Sequence, residues 1–241
     1  MADSRTVVFE SFGVTAELAV VDRADPAPAE DLLPPGWRRG DPARADKRFV
    51  LDEHTAPGAV AAQIRAHVAF NAPEHIFIHS GMVVQGDRAI LLPGSSISGK
   101  TTLVAALVRA GAAYGSDEFA LLDRDGLVHP FPKPLSLRAP ASYRQVDVTL
   151  AEFGGEEVTQ PVRAGLIAIT SYVWGALWRP SPLSQAQGAL ALLAHTVVAR
   201  SRPIQAMAAI GRTVSGATIV QSPRGESEEV VEHLLSATAA A

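Results

Sequence analysis

Two periodicities alternate along the chain. Residues 6–21, TVVFESFGVTAELAVV, are dense in β-branched and aromatic positions and predict a hairpin turning near Gly13. A Pro-rich, polar stretch follows from 22 to 46, and RFVLDE at 48–53 predicts a short strand. Residues 56–73 carry Val60, Ile64, His67 and Val68 at helical spacing, with Pro57 suited to a first helical turn. The run 75–94 predicts two or three strands with a turn at Gly86-Asp87, and 99–110 predicts a helix. Further strands are predicted over 112–123 and 126–132, around the Asp125-Gly126 turn signal. Residues 164–174 predict a buried strand, 183–201 a helix stopping before Pro203, 216–222 a last strand, and 226–240 a closing helix with acids at its start. Adjacent strands among strand–helix alternation predict an α/β protein with a mixed sheet.

Composition narrows the class. The 241 residues are 47% hydrophobic and 19% charged, as in a globular chain long enough for a sizeable core. The formal net charge of -4 supplies no global field for nucleic acid or anionic lipid. There is no cysteine, which removes disulfides, thiolate metal sites and cysteine nucleophiles. No apolar run is long enough for a membrane helix and the start lacks a signal-peptide pattern, so the expected location is cytoplasmic. No histidine pair has metal-ligand spacing, and His67 and His195 fall on apolar faces and read as structural.

One segment carries chemistry. Gly94-Ser95-Ser96-Ile97-Ser98-Gly99-Lys100-Thr101 fits G-x-x-x-x-G-K-[ST], between an apolar strand and a helix, with Thr102 next. In such a loop, backbone N–H groups wrap terminal phosphates and the helix N-terminus adds partial positive charge. Lys100 reaches the β- and γ-phosphates, and the Thr101 hydroxyl suits Mg²⁺. Two readings of the following acids compete. Asp123, ending the apolar run FALLD, could be the metal-holding acid of an NTPase. Alternatively Asp117 and Glu118 work as a pair, pointing to opposite faces of a strand so that one meets the phosphate and the other the substrate or metal. Lys133 and Arg138 are candidates to hold a phosphate or an acceptor carboxylate. His79 lies on an apolar strand followed by Ser-Gly, and histidine is the residue type whose charge changes near neutral pH.

In order, HSG (79–81), GSSISGKTT (94–102) and GSDEFALLD (115–123) resemble the HPr serine kinase/phosphorylase family. The likeness is closer to its smaller members in peptide-modification clusters, including kinases of lasso-peptide precursors. PFPKPLSLR (130–138), the 183–203 segment and PRG (223–225) also look like that group. The resemblance runs from about residue 45 onward, so the expected organisation is a β-hairpin and Pro-rich connection over 1–45 and a kinase-like domain over 46–241, together one continuous globular unit. It implies the phosphoenolpyruvate-carboxykinase-like form of the P-loop fold. It also implies Asp117 as general base, Glu118 as the second acid serving the metal, His79 beside the phosphate and Thr101 on Mg²⁺. Thr101-Thr102 stand where HPr kinases have Ser-Glu, so recognition of HPr itself is not implied. The resulting expectation is transfer from ATP to a Ser or Thr hydroxyl of a peptide or small protein. A homo-oligomer is the further partner that the resemblance allows. A free serine-like acceptor, or a catalytically silent nucleotide-binding regulator, remains as an alternative.

Overall fold

The computed structural model describes residues 5–21, 29–95, 98–138 and 145–239. The chain divides into two compact units, residues 1–75 and 76–241. In the first, β1 (Arg5–Ser11) and β2 (Val14–Val20) form the expected hairpin about Phe12-Gly13, with β3 (Arg38–Arg39) beside β1. β4 (Arg48–Leu51) pairs in parallel with β2, and α1 (Pro57–Asn71) covers Leu51 and Phe49 with Ile64 and Val68 on its buried face. The boundary expected near residue 45 therefore falls inside this unit. Pairing of β4 with β2 ties residues 46–75 to the hairpin.

The second unit is α/β with a mixed open sheet. Its elements are β5 (Ile76–Gln85), β6 (Arg88–Pro93), α2 (Lys100–Arg109), β7 (Ala113–Ser116), β8 (Phe119–Leu122), β9 (Val128–His129), the hairpin β10 (Leu135–Arg138) and β11 (Gln145–Val148), β12 (Arg163–Tyr172), β13 (Ser181–Pro182), α3 (Gln185–Ala194), α4 (Pro203–Val214), β14 (Thr218–Arg224) and α5 (Val231–Ala239). The strand order is β13-β14-β12-β6-β5-β8-β9, with β7 also pairing β5. β6, β12 and β14 run parallel, whereas β5 is antiparallel to β6, β7 and β8.

Strand alternation sends Ile90, Leu92, Leu166 and Ala168 to one face, where they pack with Leu103, Val104 and Leu107 of α2 and Leu234 of α5. Ala89, Leu91 and Ile167 face the other way, toward Leu192 of α3 and Ala206 and Ile210 of α4. Each such Leu or Ile contributes roughly 1.5–3 kcal/mol by leaving water. No helix among the described residues is long and apolar enough to cross a membrane.

Four sequence expectations need correction. The helix expected over 183–201 ends at Ala194, because residues 195–197 join the edge of β5 instead: His79 donates to the His195 carbonyl at 2.9 Å and Val197 to the Phe77 carbonyl at 2.9 Å. Pro203 does not close that helix but sits in the first turn of a separate one, α4, where its missing N–H costs nothing. The last helix begins at Val231, so the acids at 226, 228 and 229 precede it. The strand expected over 112–123 is broken by a corner at Asp117-Glu118. The β10–β11 hairpin was not foreseen.

Candidate functional site

The site is built where β6 stops. Pro93 has no N–H to prolong the ladder, and its partner on β5 is Ser80. Beyond that point the backbone groups of β5 need other partners. Gly94 supplies one, donating to the His79 carbonyl at 3.2 Å. The chain thus leaves the sheet beside His79 and enters α2 six residues later. Gly99 is the N-cap, in the left-handed region at φ 82°, a conformation glycine adopts without the Cβ penalty. No side chain caps this helix start, so its first N–H groups and partial positive charge remain available to an anion. The Lys100 ammonium folds over the loop and donates to the Gly94 and Ser95 carbonyls at 2.7 and 2.6 Å. Burial pulls the Lys100 pKa below its ordinary value, against the opposing charge of Asp117. Thr101 is half-buried in the first turn and Thr102 is exposed. Ser96 and Ile97 lie outside the described residues.

α2 reaches this position because Gly81 lets it close on β5. A Cβ on Gly81 would lie 2.6 Å from Cγ2 of Val104. Across β5, Met82 pairs with Ser116 and His79 with Phe119, so Ser80-Gly81 face the corner made by Asp117-Glu118. The Ser116 hydroxyl accepts from the Glu118 and Phe119 amides, both at 3.1 Å, and holds the corner. Ser80 donates to the Glu118 carbonyl at 3.2 Å.

Asp117 is buried at this corner. The Lys133 ammonium lies 2.9 Å from its Oδ1 and 3.9 Å from Glu118 Oε2. The Tyr114 hydroxyl donates to the Lys133 carbonyl at 2.8 Å and, more weakly, to Asp117 Oδ1 at 3.4 Å. Burial and the neighbouring Asp117 charge push the Tyr114 phenol well above its ordinary value, so it stays a donor. Phe131 brings Lys133 in: its N–H donates to the Gly115 carbonyl at 3.0 Å and its ring packs edge-on against Phe77 and Phe119. Lys133 is thus engaged with the acidic corner itself.

His79 is exposed on an otherwise buried stretch of β5, its ring 4.6 Å from that of Phe119. Partial desolvation holds its pKa below the ordinary value. The charge of Glu118 opposes that shift, whereas Lys100 and His195 add to it. His195 is lowered in the same way, by desolvation and by Lys100. These mutual influences put His79, Lys100, Asp117, Glu118, Lys133 and His195 in one neighbourhood.

Asp123 stands apart, at the far end of β8. Its Oδ1 accepts from Asp125 and Leu127 amides at 2.8 and 3.0 Å, and its Oδ2 lies 2.8 Å from His129 Nε2. Its carboxylate closes the β8–β9 turn. Arg138 ends β10, and its side chain lies outside the described part of the structure.

The parallel strands β6, β12 and β14 all run out at the edge bearing the loop, the usual location of ligand sites in open α/β sheets. Tyr172, ending β12, donates its N–H to the Ser98 carbonyl at 3.3 Å. Arg224, ending β14, donates Nη2 to the Gly99 carbonyl at 2.8 Å. Tyr114, His195 and Arg224 were not singled out as site residues from sequence. The sequence signal for Arg224 is the PRG stretch (223–225), which belongs to the family resemblance and follows a predicted strand.

Among the described residues, no group of three or more His, Asp or Glu side chains gathers as a metal cage. A magnesium ion bound with a polyphosphate needs few protein ligands, and the hydroxyl of Thr101 and carboxylate of Glu118 are the hard oxygen donors it prefers. No family model matches the chain, and no curated protein matches it.

Proposed function

We propose that this protein is an ATP-dependent kinase, with the P-loop architecture of HPr-kinase-like enzymes, acting on a Ser or Thr hydroxyl of a peptide or small protein. The observation that carries the reading is a buried carboxylate, Asp117, at the corner that faces β5, with its charge acting on the lysine of the G-x-x-x-x-G-K-T loop. A loop alone supports nucleotide binding. An acid beside its lysine supports transfer.

The loop amides and the start of α2 would bind the β- and γ-phosphates. The Lys100 ammonium would exchange its two carbonyl partners for phosphate oxygens and stabilise charge on the group in transit. Mg²⁺, held by Thr101 and Glu118 together with phosphate oxygens, would neutralise further negative charge. Asp117 would accept the proton of the acceptor hydroxyl as its oxygen bonds to the γ-phosphorus and the bond to the bridging oxygen of ADP breaks. Lys133 and Tyr114 orient that carboxylate, and His79 borders the same space. Most of the rate gain comes from positioning and electrostatics, so a modest base suffices.

The test is incubation with Mg²⁺, γ-labelled ATP and a pool of Ser/Thr peptides, with label located by mass spectrometry. The expected result is phosphopeptide from the natural protein and a loss of at least about a hundredfold in Asp117→Asn with nucleotide affinity nearly intact. Asp123→Ala should transfer normally. Damage by the Asp123 change with a mild Asp117 effect would move the metal to Asp123. Nucleotide binding with no transfer to peptides or free serine would leave a binding protein.

A further inference from the structure

Arg224 is the largest fully buried side chain among the described residues, 2% exposed. Its fork donates to two backbone carbonyls, Nη2 to Gly99 at 2.8 Å and Nη1 to Gly225 at 2.9 Å. Its Nε is buried with no partner. The Tyr172 ring lies beside it, 5.8 Å from the guanidinium carbon. Among the described residues no carboxylate comes within 4 Å of it. Glu226 and Glu228 act on it only from farther away. A guanidinium cannot shed its proton, and burying it without a counter-ion is costly. Packing alone does not call for an arginine here, since an apolar side chain would fill the space without that cost.

Its place in the fold supplies a reason. A trans peptide points its C=O and N–H in opposite directions. The Gly99 carbonyl accepts from Arg224 at the end of β14 and also from the Leu103 amide of α2 at 3.2 Å, so its oxygen is held on the side of the helix and of β14. The N–H of the same peptide belongs to Lys100, so it is turned outward from the start of α2. Gly99 is constrained from this side too, because a Cβ there would sit 2.7 Å from Arg224 Nη2. A second buried orphan lies in the same loop, the Ser98 hydroxyl.

Building on the phosphate-loop reading, we infer that Arg224 is a positioning residue for polyphosphate binding. It sets the Gly99-Lys100 peptide toward the anion, and its buried charge is balanced by that anion. The charge is a cost in the ligand-free protein and a gain in the complex. A structural role predicts a different pattern, with the ligand-free protein losing stability when the arginine is removed.

The experiment uses the full chain, with inorganic pyrophosphate and MgATP as probes in calorimetry, and ligand-free melting measured alongside. Expected are natural protein that binds both probes, Arg224→Gln weakened by about tenfold or more, and Arg224→Lys intermediate, since it keeps the charge and loses the fork. The ligand-free Tm of Arg224→Gln should equal or exceed that of the natural protein. Binding by both variants within twofold of the natural protein overturns the inference and leaves the phosphate-loop reading standing. A ligand-free Tm that falls in both variants, with unchanged affinity in the folded fraction, overturns it as well. Should Arg224→Gln fail to fold, Arg224→Lys decides by the same two readings. Natural protein that binds neither probe removes the phosphate-loop reading, and the inference with it.

Discussion

His79 and His195 both feel the charge of Lys100, and both have pKa values below the ordinary imidazole value, chiefly through desolvation. Unfolding returns them to about 6.5. As pH falls, the unfolded chain therefore takes up these protons before the folded chain does. The stability they contribute is full above the unfolded value and is lost as pH falls through the folded values. The Tm should drop between about pH 7.5 and pH 5.5, and replacing both histidines by glutamine should flatten that drop. A double variant with the same pH profile as the natural protein would refute this origin. Residue type alone made Lys100, Thr101 and Asp117 candidates. It could not assign Lys133, because an ammonium that binds an acceptor and one that holds a neighbouring carboxylate have the same letter. It also left Asp123 open, and only the turn geometry shows that carboxylate occupied by two amides and His129.

At the scale of elements, the loop is placed by contact between α2 and β5. The contact depends on Gly81, whose missing Cβ leaves room for Val104. Gly81→Ala should destabilise the protein by about 1–3 kcal/mol in chemical denaturation and weaken nucleotide binding together, because α2 must retreat and carry Lys100 with it. Unchanged binding at lowered stability would show that the loop keeps its place independently of this contact. Elements with a strong local period were readable: the two hairpins at the start of each unit, α1, α2, and the strands that became β12 and β14. Those read wrongly had a tertiary cause. Residues 195–197 continue a helical pattern in sequence, yet β5 needs partners beyond Pro93 and takes them. Pro203 signals a stop or a start with equal force, and the neighbour in space decides.

For the whole molecule, the α2–α5 face and the loop-bearing edge of the sheet carry the site, whereas α3 and α4 cover the opposite face. Hydrogen exchange with and without MgATP should therefore show protection at 94–103, 116–119 and the end of β14, and little change in α4. Protection centred on α4 would place the nucleotide elsewhere. By itself the sequence determined the α/β class, the mixed sheet, the loop and the acids near it, because these rest on short-range periodicity and on residues contiguous in the chain. Only the tertiary structure decided that Asp117 and Glu118 form a corner, that Lys133 is tied to them, and that Arg224 lies under Gly99. Lys133 and Arg224 are 15 to 125 residues from these partners in the chain. Strand pairing brings them together, and a local pattern holds no record of which strand becomes the neighbour.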